Sequence, residues 1–135
     1  MKTVLVLLSL FATTWAWSQK GEVWPIYSSQ TFDLDKDFQI TKEYEVKNVA
    51  GYFMFLNNNE FFHVTDNITS LYKIIKRKEG ETDVVYTAVS EAGNVYTFSF
   101  DKTKKDVILF SEKGFGNYYK VLTPYVTTVF DNVNQ

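Results

Sequence analysis

Catalysis by an activated nucleophile usually needs histidine as a base, and this chain contains one histidine, His63. In the stretch EFFHVT, alternation places Phe61, His63 and Thr65 on one face of a predicted strand. Cysteine is absent, and a zinc site needs several nitrogen or sulfur ligands. We therefore predict no catalytic residue, no metal site and no cofactor. We interpret His63 as a half-buried or surface strand residue, hydrogen-bonded to a neighbour, or on the wall of a cavity if the fold has one.

Alternate carboxylates in DLDKD resemble the opening of a calcium-binding loop, with oxygen ligands at Asp33, Asp35 and Asp37. The rest of that pattern is missing, because Phe38 stands where the sharp turn needs glycine and Tyr44 where a bidentate glutamate belongs. The segment is more typical of a solvated acidic turn, although a calcium site with other ligands stays open.

A basic run, KIIKRK, follows at residues 73–78. In an unbroken strand Lys73 and Arg77 would share one face with Ile75, while Lys76 and Lys78 would share the other. The charges would then form no single stripe, and we interpret them as solubilising residues along a strand edge.

Aromatic side chains are the remaining candidates for recognition. Phe115, Tyr118 and Tyr119 surround a glycine-rich turn in KGFGNYYKVLTPY, and Trp24 lies in EVWPIY. Rings at strand ends can hold an apolar molecule or stack on a sugar. We therefore predict a ligand-binding set of Trp24, His63, Phe115, Tyr118 and Tyr119; the alternative is that most of these rings are core.

The first eighteen residues have the pattern of a secretory signal peptide. Lys2 supplies the positive charge, residues 4–12 form the apolar run, and Ala16 and Ser18 are small residues before a cleavage site. No cysteine follows to carry a lipoprotein anchor. We expect a secreted or periplasmic protein in which residues 19–135 form a single domain.

Composition limits the possible partners and the way the fold is stabilised. Without Lys2 the chain has 13 basic and 16 acidic residues, so its small negative charge favours no binding to nucleic acid. A chain without cysteine has no disulfides and depends on its core, which an aromatic content of 18% can supply.

Apolar and polar residues alternate along almost the whole of residues 19–135, and short polar turns separate the alternating runs. This pattern predicts an all-β antiparallel meander of about eight to ten strands, closed into a small barrel or strongly curved half-barrel. A two-layer β-sandwich is the alternative. The predicted strands are Glu22–Tyr27, Phe38–Val46, Gly51–Leu56, Glu60–Thr65, Ile68–Arg77, Asp83–Ser90, Asn94–Asp101, Asp106–Ser111, Tyr118–Leu122 and Tyr125–Phe130.

Both faces of the predicted strand Gly51–Leu56 are apolar, so we expect it to be buried on two sides at the centre of the core. For function, these features favour a small secreted or periplasmic non-enzymatic β-protein that binds a small apolar ligand or a sugar. The alternative is a structural or protein-interaction module of the cell envelope with a core filled by side chains.

Overall fold

The computed structural model describes residues 20–127, which form ten β-strands. Within this range no helix is long and apolar enough to cross a bilayer. The predicted signal peptide and the last part of the predicted strand Tyr125–Phe130 lie outside the described residues. The strands are β1 (Glu22–Leu34), β2 (Ile40–Glu43), β3 (Lys47–Phe55), β4 (Glu60–Thr65), β5 (Thr69–Glu79), β6 (Asp83–Ser90), β7 (Val95–Asp101), β8 (Asp106–Ser111), β9 (Phe115–Val121) and β10 (Tyr125–Val126).

The strands form a closed antiparallel barrel, as the alternating sequence predicts. Neighbours pair in the order β1, β3, β4, β5, β6, β7, β8 and β9, and β9 then pairs with β1 from Ile26↔Val121 to Asp33↔Phe115. The short strands β2 and β10 pair with the two ends of β1. Closure gives the strands of the barrel wall a neighbour on each side.

β1 is longer than predicted and carries a β-bulge at Tyr27, between the paired residues Ile26 and Ser28. The alternation of β1 shifts by one at this point, because two residues of β1 face one residue of β9. Ser29 therefore follows Ile26 on the inner face, opposite Tyr119. Beyond the bulge the inward positions of β1 are polar.

The segment between β1 and β2 is an acidic turn, which agrees with our interpretation of DLDKD. Asp35 Oδ1 accepts hydrogen bonds from the backbone N–H groups of Asp37 and Gln39, at 2.8 and 3.0 Å. Phe38 adopts a φ of 60° in this turn. The predicted strand Phe38–Val46 is thereby shortened to Ile40–Glu43.

A second bulge, at Ile75 in β5, corrects the prediction for the basic run. Arg77 pairs with Tyr86 on the inner side, where its guanidinium lies 5.4 Å from the centre of the tyrosine ring. Lys73, Lys76 and Lys78 pair with alternate residues of β6 and share the outer face. The prediction of two mixed faces is wrong because the bulge moves every residue after Ile75 to the opposite face.

Aromatic rings fill the half of the barrel that includes the start of β1, which we call the closed end. Phe53 is fully buried and makes edge-on contacts with Phe61, Phe98 and Phe100. The prediction that Gly51–Leu56 is central to the core is confirmed, but burial on both faces is wrong, since Tyr52 is 36% exposed. We call the buried rings the aromatic plug: Trp24, Phe53, Phe55, Phe61, Tyr86, Phe98 and Phe100.

Candidate functional site

The barrel interior changes from rings to polar side chains toward the opposite, open end. The inner positions of β1 and β9 there hold Ser29, Thr31 and Asn117, and β4 contributes Thr65. A cleft of about 320 Å³ is lined by these four residues and by the charged Lys47 and Asp66, and its floor includes Tyr119. A neighbouring cleft of about 250 Å³ shares Ser29, Thr31 and Lys47 with it.

A hydrogen bond across the β1–β9 seam orients the polar side chains of this cleft. Thr31 Oγ1 donates to Asn117 Oδ1 over 2.6 Å, and the two residues are direct partners in the strand register. Burial raises the pKa of the Tyr119 phenol, and a hydrogen bond with the Asn117 side chain acts against that rise. The cleft therefore presents hydroxyl and amide groups that are already held in place.

On β4, His63 is the next inward-facing residue after Thr65 in the direction of the closed end, and only 1% of its surface is exposed. Its imidazole stacks on Phe53, with ring centroids 4.4 Å apart, and meets the edge of Tyr119 at 5.1 Å. Neither Nδ1 nor Nε2 has a hydrogen-bond partner within residues 20–127. The prediction of a half-buried or surface residue bonded to a neighbour is wrong, because closure of the barrel brings β9 over the histidine.

An unpartnered buried imidazole is energetically unfavourable. A buried donor or acceptor without a partner costs about 1–3 kcal/mol, and a neutral imidazole has one of each. Such a group in a folded protein requires an explanation, and a bound water, an ion or a ligand group can each provide the missing partner. His63 does not itself line the cleft, but its neighbours Thr65 and Tyr119 on two strands both do.

The titratable groups around His63 are uncharged at neutral pH. Burial lowers the pKa of His63 to about 4. Burial also raises the pKa of Tyr119, and the nearby Tyr72 phenol adds to that rise. The pKa of Tyr72 is raised in turn by burial and by Tyr96, against the effect of a hydrogen bond with Ser70. His63, Tyr72 and Tyr119 are therefore neutral, while the cleft nearby is also lined by the charged Lys47 and Asp66.

The residues predicted to bind a ligand occupy different parts of the barrel. Tyr119 and His63 are in ring contact under the cleft, and Phe115 lies at the open end with its ring 6.4 Å from that of Tyr96. Tyr118 points outward, where its hydroxyl donates to Asp106 Oδ2 at 3.0 Å.

Trp24 belongs to the plug at the closed end and does not line the open-end cleft. Its indole N–H donates to Glu22 Oε1 at 2.8 Å, and its ring meets Phe100 at 5.1 Å. Glu22 also pairs with Lys102 at 3.0 Å, and both Lys102 and Trp24 line a cleft of about 190 Å³ at this end. The acids near this end are engaged, since Thr82 donates to Asp101 and Ser99 to Asp83. No group of three histidine or acidic residues among those described could hold a metal ion.

Sequence reasoning did not select the polar residues of the cleft, Ser29, Thr31 and Asn117. Ser29 and Thr31 were left out because the predicted first strand ends at Tyr27, before the bulge. Past that point four polar residues precede Phe32 and Leu34, and the alternation of these two with Asp33 is the signal that could have extended the strand. Comparison with known proteins finds no family model and no curated protein that matches the chain.

Proposed function

We propose that this chain is a secreted or periplasmic, non-enzymatic binding module whose open-end cleft takes a small neutral ligand rich in hydroxyl groups, such as a sugar. The observation that carries the proposal is the convergence of Ser29, Thr31, Asn117 and Thr65 on one cleft above the aromatic plug. The location rests on the signal-peptide pattern of residues 1–18.

The cleft suits a polar molecule of modest size. Its volume of about 320 Å³ lies at the lower end of the range for small-ligand pockets, about 300–1,000 Å³. Hydroxyl and amide groups can both donate and accept hydrogen bonds, which matches the alternating donors and acceptors of a sugar. Tyr119 at the floor adds a ring against the polar walls.

An apolar ligand enclosed in the barrel has less support. The plug occupies the closed half, where Phe53, Phe61 and Phe98 are fully buried against one another. An apolar molecule in the open half would leave the Thr31–Asn117 pair and the His63 nitrogens without new partners.

The experiment is isothermal titration of the protein with glucose, galactose, N-acetylglucosamine, maltose and myo-inositol, beside lauric acid and inorganic phosphate. We expect saturable binding of at least one neutral compound. The variant Thr31→Val/Asn117→Leu should lose it while staying folded, because removal of both partners of a hydrogen bond is nearly neutral for stability. Thr97→Val, on the outer face of β7, is the matched control and should bind like wild type. Binding of lauric acid or phosphate alone would overturn the proposal.

A structural or protein-interaction module is the second candidate, favoured by the edge of β2. Among the described strands β2 pairs with β1 alone, and the side chains around it include Ile40 and Val46, which are 54% and 55% exposed. A free strand edge with exposed apolar residues can pair with another strand. Light scattering that shows a dimer in wild type and a monomer in Ile40→Lys would favour this function.

A further inference from the structure

We propose that His63 marks an inner subsite beneath the cleft, where its neutral imidazole hydrogen-bonds one hydroxyl group of the bound ligand. The inference rests on the proposed binding function and adds to it the chemical group that the deepest part of the site selects. Cleft residues at the rim would hold the rest of the molecule.

The hydrogen-bonding capacity of the His63 imidazole favours a hydroxyl group as its partner. A neutral imidazole offers one N–H donor and one nitrogen acceptor, and both ring nitrogens of His63 lack a partner in the described chain. A hydroxyl group both donates and accepts, so one hydroxyl can serve either nitrogen and a neighbouring phenol. A carboxylate only accepts and an ammonium group only donates, and each would bury a charge.

The imidazole of His63 lies next to two residues that line the cleft. His63 and Thr65 occupy successive inward positions of β4, and Thr65 lines the cleft. On the other side Tyr119 contributes both to the cleft floor and to the ring contact with His63. His63 is 1% exposed and does not line the cleft, so a ligand hydroxyl would reach the imidazole by displacing the side chains of Thr65 and Tyr119 that separate the two.

The side chains around the imidazole of His63 discriminate between classes of ligand. The imidazole is flanked by the Phe53 ring, by Tyr119 and, at 6.5 Å between centroids, by Tyr72. All three neighbours are aromatic rings, and the two tyrosines add neutral hydroxyl groups. They favour a neutral group small enough to fit beside a ring, and an alcohol fits this description.

The test measures the His63 ring nitrogens directly. In protein labelled with ¹⁵N in histidine, N-acetylglucosamine and myo-inositol are titrated while the imidazole ¹⁵N resonances and the backbone amides of Thr31, Thr65 and Asn117 are followed. We expect the imidazole and the cleft amides to shift together, with the same saturation curve. In the variant His63→Phe, which keeps an aromatic ring against Phe53, we expect affinity to fall about tenfold or more.

The outcomes separate this inference from the proposed function. If the cleft amides shift while the imidazole resonances stay in place and His63→Phe binds like wild type, the inner subsite is wrong and the cleft function stands. If neither probe nor any other neutral sugar shifts the cleft amides, the proposed function fails and the inner subsite fails with it. The imidazole measurement uses wild-type protein, so it decides the question even if His63→Phe does not fold.

Discussion

The imidazole of His63 lies nearly parallel to the ring of Phe53, with 4.4 Å between centroids and 16° between the two planes. Phe53 belongs to the plug, while His63 is the first polar side chain above it on the inner face. The pair therefore marks the boundary between the closed and open halves of the barrel. The proposed recognition of a neutral ligand depends on this boundary.

Stability should depend on pH through His63. Its pKa of about 4 in the folded chain lies below the ordinary value of 6.5. As the pH falls from 6.5 toward 4, His63 becomes protonated in the unfolded chain before it does so in the folded chain. The folded state is therefore not penalised by His63 above pH 6.5, and its stability falls as the pH approaches 4. We expect His63 to account for a loss of roughly 3 kcal/mol in the free energy of unfolding. Urea unfolding at pH 7.0, 5.5 and 4.5 measures the change.

The variant His63→Phe isolates this contribution, because the carboxylates and tyrosines titrate in both proteins. We expect the variant to be at least as stable as wild type at pH 7, since it removes an unpartnered buried polar group, and to lose less stability on acidification. Equal losses in the two proteins would show that the folded-state pKa of His63 is not lowered.

Glu22 should be a major source of stability at the closed end. It is almost fully buried and accepts hydrogen bonds from both Trp24 and Lys102. Glu22→Ala leaves the indole N–H buried without an acceptor, while Lys102 can turn to solvent, so we expect a loss of about 2 kcal/mol. Glu22→Gln keeps an acceptor oxygen and should lose less. Urea unfolding followed by circular dichroism gives the values.

The control for Glu22 is Glu112→Ala, which removes an exposed carboxylate from the turn between β8 and β9 and should change stability by less than about 0.5 kcal/mol. A loss at Glu22 no larger than at Glu112 would contradict the assigned role of the Trp24–Glu22–Lys102 contacts.

Close approach of β3 and β4 should make Gly51 intolerant of any side chain. A Cβ at this position would overlap the carbonyl oxygen of Val64 on β4. Gly51→Ala must push the two strands apart and should destabilise the barrel by about 2–3 kcal/mol. In Gly93→Ala the new methyl meets nothing within 4 Å, and only the φ of 86° opposes it, at about 1 kcal/mol. Thermal unfolding that ranks Gly93→Ala as the more harmful change would refute this packing argument.

The local alternation of apolar and polar residues was sufficient to predict the meander, its short turns and the central position of Phe53. These features depend on alternation and turn residues that lie close together in the sequence. The bulges at Tyr27 and Ile75 were not predictable in this way. Nothing in the composition of a strand marks the residue that forms a bulge, although that one residue reverses the faces of all that follow. The burial of His63 depends on Tyr119, fifty-six positions away, which approaches only when β9 closes on β1.

The candidate site was predictable only in part for the same reason. His63, Phe115 and Tyr119 were selected as aromatic or titratable residues near strand ends, and they lie in the open half. Trp24 was selected as an aromatic ring in EVWPIY, although it belongs to the closed end. The polar cleft residues became visible only through the register of β1 with β9.

The most direct test of the central claim is a map of backbone amide shifts in ¹⁵N-labelled protein titrated with N-acetylglucosamine, galactose and myo-inositol. We predict that at least one compound shifts the amides of Ser29, Thr31, Thr65 and Asn117 with a common saturation curve. Amides at the closed end, such as that of Lys102, and on the outer face, such as that of Thr97, should not move. Shifts confined to the closed end or the outer faces, or no shift with any neutral compound, would contradict the account.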